Sequence, residues 1–141
     1  MIRPVFRARA AWCAGKLPGQ GADFVALAKA DPDPNLRIVA IRLARQLGAD
    51  VLPLVRELAD DLDPQVRREC AIALREIDGP SAAEVWAQLA LKHDGQDRWY
   101  LEALGIAAEG KWNACLEAWR AAGGDLDTAS GRDIAWRSRG D

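Results

Sequence analysis

The side chains best suited to catalysis or metal binding are one histidine and three cysteines. His93 is the only histidine, and the nearest carboxylates along the chain are Asp94 and Asp97. Nucleophilic catalysis needs a base beside a Ser or Cys nucleophile, and nothing marks these residues as such a site. A zinc site needs clustered Cys and His ligands, whereas the cysteines lie far apart with no Cys-x-x-Cys pair. They are Cys13, Cys70 and Cys115.

The spacing of the carboxylate pairs and of the glycines is typical of helix caps and turns, and it does not indicate a catalytic or phosphate-binding site. Asp60 and Asp61 are adjacent, as at helix turns, where such pairs cap helices or face solvent. The glycines of residues 15–21 do not follow the order of a phosphate-binding loop, and no strand precedes them. We therefore expect a non-catalytic protein with no metal and no cofactor.

The charge balance excludes strong global attraction to nucleic acid or to an anionic membrane. The chain of 141 residues holds 19 basic and 21 acidic side chains, a net charge of −2. The distribution is uneven, since residues 1–48 are basic and residues 49–64 are acidic. No run approaches the ~20 apolar residues of a membrane span, and the start lacks the apolar core of a signal peptide. We expect no membrane insertion and no signal peptide, and the compartment stays open.

A repeat of 30 residues organises the first half of the chain. Arg7, Arg37 and Arg67 are spaced by 30, and so are Leu17, Leu47 and Ile77. A fixed period of this length is typical of stacked helical repeats.

Each repeat begins with a recognisable helix start. Asp33-Pro34 and Asp63-Pro64 place a carboxylate at the N-cap and a proline at the first helical position. Apolar residues then recur at helical spacing, as in the stripe formed by Val51, Leu54, Val55, Leu58 and Leu62.

This pattern predicts an all-α fold, a right-handed α-α superhelix of about four antiparallel helix pairs. The predicted helices cover residues 4–15, 21–31, 34–47, 50–61, 64–77, 80–93, 96–109 and 111–122. We expect a HEAT-like repeat domain at residues 1–124 and a C-terminal tail at 125–141, with a short capping helix around Arg132 to Arg137.

The segment Val51 to Ile77 closely resembles the HEAT-repeat consensus. In that family, the Asp-Pro turn and the arginine four residues after the Asp form contacts between successive repeats. The resemblance therefore implies structural roles for two pairs, which are Asp33 with Arg37 and Asp63 with Arg67.

A narrower resemblance rests on residues 37–47, 97–112 and 131–139. These segments are similar to the HEAT segment of large, exported bacterial proteins that combine a dehydrogenase-like β-propeller with a c-type haem domain. The resemblance implies a scaffold segment of a modular redox protein, or a separate relative of one. It implies no redox chemistry here, because His93 follows no Cys-x-x-Cys haem motif.

The second helices of stacked pairs line the concave side of a solenoid, a common recognition surface. We expect a protein partner, or neighbouring domains of a larger polypeptide, to bind there, and no nucleic acid. The candidate residues on this side are Arg56, Glu57, Asp60, Glu84, Gln88, Lys92, Asn113, Glu117 and Arg120.

Two alternatives of other classes stay open. A DNA-binding HEAT-like protein of the glycosylase type needs a basic concave stripe, whereas the candidate residues include four acids against three bases. A HEAT-like lyase acting on a tetrapyrrole needs an apolar cleft with convergent polar groups.

Two further expectations concern aromatic and terminal residues. Trp112, Leu116 and Trp119 share one helical face and are expected in the core. Trp99 and Tyr100 are adjacent, so one of them, with Trp136, is a candidate exposed anchor. The apolar first helix offers little of a polar cap, and a homodimer through a terminal repeat is therefore an open alternative.

Overall fold

A computed structural model describes residues 2–140, and this part of the chain folds into α-helices without strands. The helices are α1 (Pro4–Ala14), α2 (Gly21–Lys29), α3 (Pro34–Gln46), α4 (Leu52–Leu58), α5 (Pro64–Ala73), α6 (Pro80–Leu91), α7 (Arg98–Ala108), α8 (Trp112–Ala121) and α9 (Ala129–Arg137). One turn of 3-10 helix, Leu74–Glu76, follows α5. The prediction of an all-α fold is confirmed. Between residues 2 and 140, no helix is both long and apolar enough to span a membrane.

The two Asp-Pro turns start helices as predicted. Asp33 Oδ1 accepts a hydrogen bond from Asn35 N at 2.9 Å, and Asp63 Oδ1 accepts one from Gln65 N at 2.7 Å. Each aspartate thereby satisfies one of the unpaired N–H groups that every helix start exposes.

The chain divides into two compact units, one up to Leu54 and one from Val55 onward. In the first unit, α1 and α2 both pack on α3. The core comes mainly from α3, where Ile41 and Leu43 are fully buried. Gly15 and Gly21 allow the close approach, because a Cβ at either position would collide with a leucine of α3 or of its C-terminal end.

In the second unit, the helices form two layers. One layer contains α5, α7 and α9, with α7 packed against both of its neighbours, and the other contains α6 packed on α8. The largest fully buried side chains of the unit include Trp86, Trp119 and Ile134. The C-terminal helix α9 thus packs as a further member of the first layer. The predicted domain boundary at residue 124 stays a prediction.

Several predicted helix bounds are wrong, and the largest differences are at the ends of α4 and α5. Helix α4 ends at Leu58 instead of residue 61, so Leu62 lies in the following turn, where it is 95% exposed. The helical spacing of apolar residues continues in the sequence past the end of the helix itself. Helix α5 ends at Ala73, and the residues up to Glu76 tighten into the 3-10 turn.

Removing the second cap is expected to destabilise the protein. Asp63→Ala should lower the free energy of unfolding by about 1 kcal/mol, because the N–H of Gln65 loses its acceptor. Asp63→Asn keeps a side-chain oxygen at the cap and serves as the control. Urea denaturation compares the two variants, and equal losses of stability for both would contradict the capping role.

Candidate interaction surface

The nine residues predicted for the concave side are all exposed. They lie on α6, on α8, at the C-terminal part of α4 and in the residues directly after α4 and α6. We call this set, Arg56, Glu57, Asp60, Glu84, Gln88, Lys92, Asn113, Glu117 and Arg120, the inner-helix face. All nine belong to the second compact unit.

Two ion pairs cross the inner-helix face from α4 to α6. Lys92 Nζ lies 2.9 Å from Asp60 Oδ1, and Arg56 Nη2 lies 3.9 Å from Glu84 Oε2. Exposed pairs of this kind contribute little to stability. Their larger effect is to neutralise two of the three cations of the face.

A groove of about 1000 Å³ runs between α6 and α8. Alanine is the most frequent residue of its lining, which includes Ala82, Ala83, Ala87, Ala107, Ala114, Ala118, Ala121 and Ala122. Trp86 supplies part of the floor, where its ring meets Trp112 edge to face at 5.8 Å and its Nε1 donates to Leu104 O at 2.9 Å. The groove therefore has small apolar walls on a rigid aromatic base.

The rim of this groove is acidic. Asp78, Glu84 and Glu117 line it, and Lys111 is the one basic residue of the lining. Glu117 forms no ion pair with any residue between 2 and 140. The potential along the groove therefore favours a cationic ligand over a phosphate.

The ammonium group of Lys111 binds backbone carbonyls of an earlier segment. Its Nζ donates to Leu74 O at 2.8 Å, Arg75 O at 3.1 Å and Ile77 O at 2.6 Å. These carbonyls follow the end of α5, where helices leave acceptors unpaired. The cation therefore caps the helix of the preceding pair, and sequence analysis did not identify this role.

The arginine of the second Asp-Pro turn contacts the next helix pair. Arg67 Nη1 donates to Asp61 O at 2.6 Å and to Leu62 O at 3.1 Å, and the guanidinium lies 5.7 Å from the ring centroid of Tyr100. In the first turn, Arg37 Nη1 likewise donates to Asp31 O and Pro32 O, at 2.9 and 3.0 Å. In both turns the aspartate carboxylate caps its helix, while the arginine holds the turn's carbonyls.

The side chains of Tyr100 and Trp99 point to different sides of α7, as expected for adjacent residues of a helix. Tyr100 is 2% exposed and donates its hydroxyl to Leu89 O at 2.9 Å, while Trp99 is 72% exposed. Burial raises the pKa of Tyr100 to about 12, although the Arg67 guanidinium acts in the opposite direction. Of the expected core tryptophans, Trp119 is buried and Trp112 is half-buried.

A second exposed cluster joins α7 to α9. Trp136 is 60% exposed, and the Arg98 guanidinium lies 5.5 Å from its ring centroid. Glu102 accepts from Arg98 Nε and from Arg137 Nε, each at 3.0 Å. The hydrogen bond from Arg98 holds the pKa of Glu102 below its usual range.

The contacts of His93 join neighbouring helices of the second unit. It is buried, its Nε2 lies 3.0 Å from Asp133 Oδ2, and its ring stacks on Tyr100 at 6.0 Å. The pair connects the segment after α6 to α9. In the described part of the chain, no three His, Cys, Asp or Glu side chains are grouped to hold a metal ion.

The helical pairs, Asp-Pro caps and layered packing define the class, an α-α solenoid of repeats. A family model for HEAT repeats matches residues 21–105, and the chain belongs to the HEAT-repeat family. HEAT repeats typically act as scaffolds for protein interaction and are generally non-enzymatic. No curated protein and no solved structure matches the chain.

Proposed function

We propose that this protein is a non-catalytic scaffold module that binds another protein through the inner-helix face. The observation that carries the proposal is the groove between α6 and α8, with alanine walls and an acidic rim. Small side chains allow a partner's helix to approach closely, and the surrounding carboxylates select a partner with basic groups. Polar rims around apolar centres are the usual anatomy of protein interfaces.

The same charges argue against nucleic acid and against a tetrapyrrole. A duplex needs several unpaired Lys or Arg side chains along one surface. On the inner-helix face, Arg56 and Lys92 are paired with acids, which leaves Arg120 as the third cation. Lys111, which lines the groove, is engaged with carbonyls. The propionates of a tetrapyrrole would meet the carboxylates of Asp78, Glu84 and Glu117 along the rim. Both alternatives are therefore disfavoured by Coulomb repulsion.

Co-purification with paired variants tests the proposal. Gln88→Arg combined with Glu117→Arg makes two exposed positions of the face basic, and Trp99→Ala combined with Trp136→Ala changes the other cluster. We expect the first variant to lose most of the proteins that the wild-type chain retains from an extract of its source cells, and the second to keep them. The proposal would be contradicted if the face variant retained the same proteins as the wild type. It would also be contradicted if the wild-type chain retained duplex DNA.

We also propose, from the similarity of residues 97–112 and 131–139, that the chain is a segment or a separate relative of a modular bacterial redox protein. In that setting the face would hold a neighbouring domain in place. The coding sequence around this segment tests the idea. A β-propeller or c-type haem domain encoded in the same chain would support a segment, and one encoded in a neighbouring gene would support a separate relative. Coding for neither in this region would count against both.

A further inference from the structure

Helix α1 presents an apolar surface that the described chain does not cover. None of its 11 residues is buried. Val5 and Phe6 are 52% and 54% exposed, and they share one side of the helix with Arg9 and Cys13, which are also exposed. The opposite side packs on α3. Adjacent exposed apolar side chains of this kind make the surface a candidate interaction site.

The charge of α1 restricts what can cover this surface. The helix carries Arg7 and Arg9 and no acidic residue, with Arg3 at its N-cap. Arg7 pairs with Asp31, which leaves Arg3 and Arg9 to face a partner. Two copies of α1 placed against each other would bring these arginines together, and like charges oppose such a contact. The partner surface must therefore be acidic as well as apolar.

The groove between α6 and α8 meets both requirements. Asp78, Glu84 and Glu117 supply the acidic rim, and alanines supply the apolar walls. The lengths also match, since 11 residues of helix span about 16 Å, and α6 and α8 span about 18 and 15 Å.

We propose that α1 of one copy docks into the groove between α6 and α8 of a second copy. This inference rests on the proposed function, because it names a partner for the same face. The contact joins two different surfaces, so a first contact leaves one α1 and one groove free, and a further copy can bind at each. Association should continue with concentration, and it should weaken with salt because charges contribute.

Two variants test the contact, one that changes α1 and one that changes the groove. Phe6→Glu with Arg9→Glu changes exposed residues of α1. Ala114→Arg with Glu117→Arg changes exposed residues of the groove wall and rim. The matched controls, Ala26→Glu on α2 and Glu76→Arg outside the groove, change charge at other exposed positions. Circular dichroism verifies that each variant keeps the wild-type helix content.

Sedimentation equilibrium measures the mass in solution. We expect the wild-type chain and both controls to exceed the mass of one chain and to grow with concentration at low salt. Each blocked variant should remain at the mass of one chain. An equimolar mixture of the two blocked variants should form a species of two chains and no larger, because one intact α1 then meets one intact groove.

Three results would overturn the inference. They are a wild-type chain of single mass throughout, a groove variant that associates like the wild type, and a mixture that fails to form the two-chain species. The proposed function fails separately. If the wild type has single mass but other proteins are lost on changing the face, only the second-copy inference is wrong. If the face variant retains the same proteins as the wild type, and the wild-type chain self-associates as expected, the face binds only a second copy of this chain.

Discussion

Replacing Trp86 with alanine should lower the free energy of unfolding by about 3–5 kcal/mol, the usual cost of removing a large aromatic side chain from a core. Trp86 is 1% exposed, meets Trp112 edge to face and donates its Nε1 proton to Leu104 O. The substitution leaves a cavity, ends the ring contact and leaves a buried carbonyl without that donor. Urea denaturation followed by circular dichroism measures the change.

Trp86→Phe is the control for the hydrogen bond. It keeps most of the apolar volume, so the loss should be about 1–3 kcal/mol, the cost of one lost buried hydrogen bond with some lost packing. A loss below about 1 kcal/mol for Trp86→Ala would show that Trp86 is not part of the core described above.

Lys111→Met should cost about 2–3 kcal/mol of unfolding free energy. The methionine keeps much of the aliphatic stem but removes the ammonium group that binds Leu74 O, Arg75 O and Ile77 O. Hydrogen bonds to a charged group contribute more than neutral ones, and the end of α5 would lose its cap. The same denaturation experiment measures the effect.

Lys92→Met is the matched control, because its cation makes an exposed pair with Asp60 on the same unit. It should change stability by less than about 1 kcal/mol. If the two methionine variants were equally stable, the capping role of Lys111 would be wrong.

Local patterns in the sequence were sufficient to predict the helix starts. An N-cap such as Asp63 acts on an N–H two residues away, so its effect can be inferred from neighbouring letters. Helical periodicity likewise predicted which side of α6 and α8 is exposed. Periodicity gives no information on where a helix ends, and for that reason Leu62 was wrongly placed in an apolar stripe.

The contacts that shape the groove could not be predicted in the same way. Lys111 binds carbonyls more than 30 positions earlier, and Trp86 binds Leu104 O from a neighbouring helix. The pairing of Glu102 with Arg137 also depends on how α9 lies on α7. Such contacts follow from the packing of successive pairs, and packing requires the three-dimensional structure.

Site-specific photocrosslinking at Gln88 is the most direct test of the central claim, that the inner-helix face binds protein. Gln88 is exposed, lies on α6 and lines the groove, so a photoreactive amino acid there reports contact with little disturbance. A matched probe at Gln65, exposed at the start of α5 outside the groove, controls for random capture. We expect a discrete protein crosslink, to another protein or to a second copy, from position 88 and none from position 65. Equal crosslinking at both positions, or none at position 88, would contradict it.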